Sequence, residues 1–127
     1  MTIRKVPSAI PYDSNIYLVS GDHPIIVDTG SGEDSDNVIR SIRRMTDRCP
    51  SSIVLTHCHY DHCGGLKDMV DAFGCPAYAG ALDVAAISSA DPMLTVSSLF
   101  GATMHPVDVN PLKEGDTIGT GDHTFRV

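Results

Sequence analysis

Apolar and polar positions fall in short blocks along this chain, and the period of the blocks changes as it proceeds. Ile3-Arg4-Lys5-Val6 reads as a short strand, and a loop with two prolines follows over residues 7–14. Asn15-Ile16-Tyr17-Leu18-Val19 is rich in β-formers, Ser20-Gly21-Asp22-His23 carries turn residues, and Pro24-Ile25-Ile26-Val27-Asp28 is the next strand. The two runs and their turn predict a hairpin. The unbroken apolar character of Ile25-Ile26-Val27 predicts a strand buried on both faces. Asp28-Thr29-Gly30-Ser31-Gly32 then breaks the strand.

From about residue 34 to residue 47 the period lengthens. Val38, Ile42 and Met45 recur at spacings of four and three, as one buried helix face requires. Cys49-Pro50 closes that helix. Ile53-Val54-Leu55 predicts a short central strand. Leu66, Met69, Val70 and Phe73 share one side of a second helix, with Gly74 as its terminator. Further on, the pattern predicts a strand over residues 76–79, a helix over 81–88, strands over 107–109 and 124–127, and a β-turn unit over 112–118. Met93, Leu94, Val96, Leu99, Phe100 and Met104 are apolar without a clean period. Packing against the core is favoured for them over cover for a site mouth.

Composition narrows the class. A chain of 127 residues with 42% apolar and 20% charged residues suits one modest globular domain. The formal net charge is -7, and no dense Lys/Arg patch is present, which argues against a nucleic-acid partner. Arg40, Arg43 and Arg44 fall in the first helix and read as a solvated face. The N-terminus lacks a signal-peptide pattern, and no stretch approaches the roughly 20 apolar residues that span a bilayer. The default expectation is a cytoplasmic protein without a membrane partner. Four cysteines, Cys49, Cys58, Cys63 and Cys75, show no Cys-x2-Cys pairing. Cys49 and Cys75 are expected to be buried small apolar groups. Cys58 and Cys63 fall within the most informative segment of the chain.

That segment is Thr56-His57-Cys58-His59-Tyr60-Asp61-His62-Cys63-Gly64-Gly65, directly after the apolar strand. Imidazole and carboxylate are ligands for zinc, iron and manganese. No packing requirement puts three histidines and an aspartate within six positions. In α/β sheets, ligands collect where strands give way to loops at their carboxyl ends. His57 and His59, two apart on an extended segment, would face one metal. Asp61 and His62, past the turn, would face a second roughly 3.5–4 Å away.

His57-x-His59-x-Asp61-His62, preceded by Thr56 and followed by Gly64-Gly65, resembles the hallmark of the metallo-β-lactamase-like hydrolase superfamily. The opening hairpin, ending in Asp28-Thr29-Gly30, and the segment Leu112-Lys113-Glu114-Gly115-Asp116-Thr117-Ile118 agree with it. Within the superfamily the motif looks most like the glyoxalase II-type hydrolases and their thioesterase and lactonase relatives. The resemblance implies an α/β fold, a four-layer αββα sandwich of two similar halves. This chain is then expected to be the N-terminal half, residues 1–127, truncated before the remaining metal ligands. It implies two divalent metal ions, zinc first, with iron or manganese as alternatives. His57 and His59 would hold one ion, Asp61 and His62 the other, and Asp28 would act from behind the ligands. His105 and His123 match no ligand position.

The activity implied is attack by metal-bound hydroxide on the carbonyl of a thioester, lactone or related ester, with Asp61 as ligand and catalytic residue. A small-molecule substrate is the expected partner. The chain is also expected to need the missing C-terminal half, or to oligomerise. Three alternatives share the motif: an iron-dependent persulfide dioxygenase or other oxidoreductase, a nuclease or phosphodiesterase, and a non-catalytic half-domain.

Overall fold

The structure, a computed structural model, describes residues 2–127. Six strands form one sheet in the order β1-β2-β3-β4-β5-β6. They are β1 (Ile3–Val6), β2 (Ile16–Val19), β3 (Ile25–Val27), β4 (Ser52–Leu55), β5 (Ala77–Gly80) and β6 (Asn110–Leu112). The first two pairings are antiparallel, and the pairs β3-β4, β4-β5 and β5-β6 are parallel. Helix α1 (Ser35–Met45) joins β3 to β4. The one-turn helix α2 (Tyr60–Cys63) and α3 (Leu66–Phe73) join β4 to β5, and α4 (Val84–Ser88) follows β5. Parallel crossovers of one hand, running in one direction along the sheet, put their helices on a single face.

Side-chain alternation in the strands agrees with that layering. Ile16, Leu18, Ile26, Ile53, Leu55, Ala77 and Ala79 form one buried cluster with Val38, Ile39 and Ile42 of α1, Leu66 and Met69 of α3 and Ile87 of α4. Each large aliphatic side chain taken out of water here contributes roughly 1.5–3 kcal/mol before entropy is counted. The opposite set, including Tyr17, Val19, Ile25, Val27 and Val54, faces a cleft of about 300 Å³. Ile118 and Phe125 line the same cleft. They belong to a second, two-stranded sheet of β7 (Thr117–Gly119) and β8 (Thr124–Arg126).

The expected four-layer αββα sandwich is therefore corrected for this chain. Its layers are helices, a six-stranded mixed sheet and a β-hairpin. The physical reason is that β7 and β8 pair only with each other, so the second sheet is a ribbon. Val127 is tied in as well: its N–H donates to Asp116 O at 2.8 Å and its carbonyl accepts from Gly115 N at 3.0 Å.

Other expectations shift by local causes. The strand expected over residues 107–109 lies instead at β6, while Val107 and Val109 are buried as loop residues on the core. Pro111 is tolerated in β6 because that strand lies at the sheet edge. Helix α4 starts at Val84, and Leu82 before it is 98% exposed. Arg40 and Arg44 stay exposed on α1, as expected of a solvated face. Arg43 does more, lying 5.5 Å over the Phe73 ring and donating to Ala72 O at 3.3 Å, which ties α1 to the end of α3. Among the described residues, no helix is long and apolar enough to cross a membrane.

Candidate metal centre

Because β3 and β4 are parallel neighbours, with Val27 opposite Val54, their carboxyl ends open side by side. Asp28 leaves β3 there and Thr56 leaves β4. Asp28 extends the ladder by donating its N–H to Val54 O at 2.9 Å. Its φ is then 62°, the left-handed region, where aspartate is among the few side chains tolerated. That turn aims a buried carboxylate, 4% exposed, at the start of the histidine segment.

The Asp28 carboxylate accepts three hydrogen bonds. Thr56 N–H donates to Oδ1, and the Thr56 hydroxyl and His62 Nδ1 both donate to Oδ2, each at 2.8 Å. Thr56 Oγ1 also lies 3.0 Å from His57 Nδ1. Its only proton is committed to Asp28, so here the hydroxyl oxygen accepts from His57 Nδ1–H. The network thereby assigns both rings the Nδ1–H tautomer and leaves both Nε2 lone pairs free. A carboxylate behind a histidine, holding its tautomer and orientation, is a recurrent feature of metal-binding histidines.

Among the described residues, one group of ligand atoms lies within 4.8 Å of one another: those of His57, Asp61 and His62. His62 Nε2 is 3.6 Å from Asp61 Oδ2. The His57 and His62 ring centroids are 4.1 Å apart. His59 lies outside the group, although its ring meets that of His57 edge-on at 4.9 Å. The donors thus gather as His57, Asp61 and His62, where the sequence reading pairs His57 with His59 and Asp61 with His62. The cause is the backbone. His59 is the extended residue at the start of α2, and the helical turn Tyr60–Cys63 swings Asp61 and His62 back toward His57. Burial first, and then the like charges of His62 and His59, push the His57 pKa below its ordinary value. That favours the neutral imidazole a metal requires. Two imidazoles and a carboxylate, oriented from behind by Asp28, fit a divalent ion of the zinc, iron or manganese class.

Gly64 and Gly65 serve close backbone packing. Gly64 takes ordinary right-handed helical geometry. A Cβ on Gly64 would lie 2.2 Å from Ser31 O, and one on Gly65 2.5 Å from Thr29 O. The loop after β3 therefore crosses backbone to backbone over the end of α2. Thr29 N–H and its hydroxyl both donate to His62 O, at 2.8 and 2.9 Å, and Gly65 N–H donates to Gly30 O at 3.0 Å. These contacts fix the helix that carries Asp61 and His62.

The segment without period also packs on this site. Thr95 O accepts from Tyr60 N–H at 2.7 Å, and Phe100 lies 5.3 Å from the Tyr60 ring. Cys58 turns its thiol to Leu94 O at 3.5 Å. Cys63 is buried against Met104, and burial first, then neighbouring Cys58, Asp28 and Asp61, push its thiol up to about 12. It is an inert core thiol, not an oxidation-prone thiolate. Thr56 is the residue to which the sequence reading gave no role. Its position between the strand end and His57 is the signal that could have found it. His105 and His123 stand apart from the ligand group.

The chain is 33% identical over 104 residues to a probable metallo-hydrolase of Methanocaldococcus jannaschii, covering 81% of this chain and 50% of that protein. It is 33% identical over 87 residues to a probable metallo-hydrolase of Bacillus subtilis, covering 68% of this chain and 38% of that protein. The chain thus spans about half the length, or less, of these relatives. Among solved structures, the subclass B3 metallo-beta-lactamase BJP-1 of Bradyrhizobium japonicum superposes with TM-score 0.82 at 22% identity, over 98% of this chain and 47% of that one. The B3 metallo-beta-lactamase BLEG-1 gives TM-score 0.80 at 27% identity, over 98% and 59%.

The expectation of an N-terminal half-domain is corrected here, because the family match extends over nearly the whole chain and the superpositions cover 98% of it. The sequence profile of the metallo-beta-lactamase superfamily matches residues 9–127, and the chain belongs to that superfamily.

Proposed function

We propose that the protein is a metal-dependent hydrolase that cleaves the acyl C–S or C–O bond of a thioester, lactone or related ester by attack of water on the carbonyl carbon. His57, His59, Asp61 and His62 would serve as ligands, and Asp28 would hold two of them in place. Two divalent ions are proposed, zinc first, with His59 completing a position that His57, Asp61 and His62 leave open. The observation that carries the reading is the relay from Asp28 to His62 Nδ1 and, through Thr56, to His57 Nδ1, which frees both Nε2 atoms and leaves that of His62 beside Asp61.

A bound divalent ion supplies a water that ionises near neutral pH and a pull on the carbonyl oxygen. The chain's own groups do the rest. Asp61, half-buried beside His62 Nε2, would accept a hydrogen bond from the attacking water and direct it. Asp28 and Thr56 hold the two imidazoles by Nδ1 and leave Nε2 on the ligand side. The exposed apolar residues Leu94 and Phe100, carried by the segment packed on Cys58 and Tyr60, suit a small organic substrate more than a polyanion. The net charge of -7 points the same way.

The test is a hydrolysis panel on purified whole protein, with thioesters, lactones and β-lactams, before and after chelation and zinc return. The expected result is thioester or lactone cleavage that is lost with chelator and restored by zinc. Asp61→Asn is expected to lower the rate about 100-fold. Full activity after exhaustive chelation would sink the reading. A second reading, β-lactam opening, has one observation in its favour, the 27% identity to the metallo-beta-lactamase BLEG-1. Cleavage of the β-lactams alone would select it.

A further inference from the structure

We propose that Cys49 and Cys75 form a reversible disulfide, a redox modification site at the opposite end of the sheet from the metal-type cluster. Cys49 lies just before β4 and Cys75 just before β5, and these strands are parallel neighbours. Their ladder begins where Ile53 N–H donates to Pro76 O at 3.0 Å, so the two segments converge as they enter the sheet. The Cys49 thiol turns toward the other segment and donates to Phe73 O at 3.5 Å, two residues from Cys75. Both cysteines are free thiols here. Burial first, and then Cys49, push the Cys75 pKa above its ordinary value.

The pair is asymmetric in a way that sets the order of events. Cys49 is exposed and Cys75 is buried. Cys49 also lines a cleft of about 270 Å³ together with Arg43, Arg48 and Phe73. The exposed thiol on this open cleft is within reach of a low-molecular-weight disulfide such as glutathione disulfide. The Cys49 thiolate attacks one sulfur of that disulfide, the S–S bond breaks, and one glutathione leaves as thiolate with the bonding pair. The Cys75 thiolate then attacks the Cys49 sulfur of the mixed disulfide and expels the second glutathione. Two protein thiols are oxidised and one glutathione disulfide is reduced; the two departing glutathione thiolates take up the two protons that the protein thiols give up. The other thiol pair, Cys58 and Cys63, belongs to the metal-type segment, and Cys63 is locked in the core.

The experiment treats the native protein with glutathione disulfide, quenches with acid, and maps peptides by mass spectrometry. The expected product links the Cys49 and Cys75 peptides. Closing that loop is expected to raise the melting temperature by about 5 °C, reversibly with dithiothreitol. Cys75→Ala should stop the reaction halfway, with about tenfold more glutathione held on Cys49 than in the parent protein. Cys49→Ser should leave Cys75 unmodified. A Cys58–Cys63 link, or a stable Cys49 adduct in the parent protein, would overturn the proposal. Peptide mapping of the parent protein decides the question even if Cys75→Ala does not fold.

Discussion

Asp28 Oδ2 lies 2.8 Å from His62 Nδ1, although the two residues come from different ends of the central crossover. The same oxygen accepts from the Thr56 hydroxyl, so one buried carboxylate sets the direction of His62 directly and of His57 through Thr56. This arrangement carries the metal reading further than the motif spacing does, because it fixes which nitrogen of each ring is free. Replacing Asp28 by Asn keeps the shape and removes the charge that favours the Nδ1–H tautomer. Asp28→Asn is expected to lower zinc affinity about 10- to 100-fold with the fold intact. Competition titration against a zinc indicator, with circular dichroism as control, measures it. Unchanged affinity would break the link between Asp28 and the ligands.

Thr56 separates the two branches of the relay. Thr56→Val removes the hydroxyl bridge to His57 but leaves the contact between Asp28 and His62. It should weaken zinc binding by about tenfold, less than Asp28→Asn. In the nitrogen NMR spectrum, His57 should lose its single Nδ1–H tautomer while His62 retains it. Equal disturbance of both rings would mean that Asp28 acts on His57 by another route.

The legible and illegible parts of this molecule divide along local and long-range causes. Helix α3 is written in the period of Leu66, Met69 and Phe73 and in the left-handed Gly74, and it forms over those residues. The motif Thr56 to Gly65 carries its own strand, turn and metal-type side chains, so the candidate ligands could be named in advance. The grouping of those ligands could not, because it depends on how far one turn of α2 rotates Asp61 and His62 toward His57. Residues 90–104 had no readable period because their contacts, such as Thr95 to Tyr60 and Cys63 to Met104, follow the surface of the site and not a regular element. Cys49 was misplaced in the core for a similar reason. Its exposure is set by where the loop after α1 runs, and its apolar chemistry does not decide that.

The backbone crossing of Thr29 and Ser31 over Gly64 and Gly65 predicts a sharp ordering of glycine substitutions. Gly64→Ala would set a methyl 2.2 Å from Ser31 O, and backbone on both sides leaves no flexible side chain to yield. It should cost about 3 kcal/mol. Gly74→Ala meets nothing within 4 Å and pays only for its left-handed φ of 62°, about 1 kcal/mol. Urea denaturation of the two variants checks the order. A Gly64→Ala protein as stable as Gly74→Ala would mean that the crossing is loose.

Acid sensitivity should be traceable to Asp34. Its carboxylate accepts from Ala9 N–H and from Asn37 Nδ2, both at 2.8 Å, and so pins the loop after β1 to the start of α1. The Ala9 hydrogen bond first, and then that of Asn37, holds its pKa below the ordinary carboxylate value. A carboxyl with a depressed folded pKa binds its proton more weakly in the folded chain than in the unfolded one. Its contribution is therefore fully present above the unfolded value, about 3.9, and is lost as pH falls through the folded value. Asp34→Asn should destabilise the protein at pH 7. The gap to the parent should narrow as pH falls below about 4, since protonation then removes the same charge from the parent. Both hydrogen bonds are open to solvent, so the effect is modest and salt-dependent. Chemical denaturation at neutral and acidic pH measures the gap, and a gap that widens toward acid would contradict this account of Asp34.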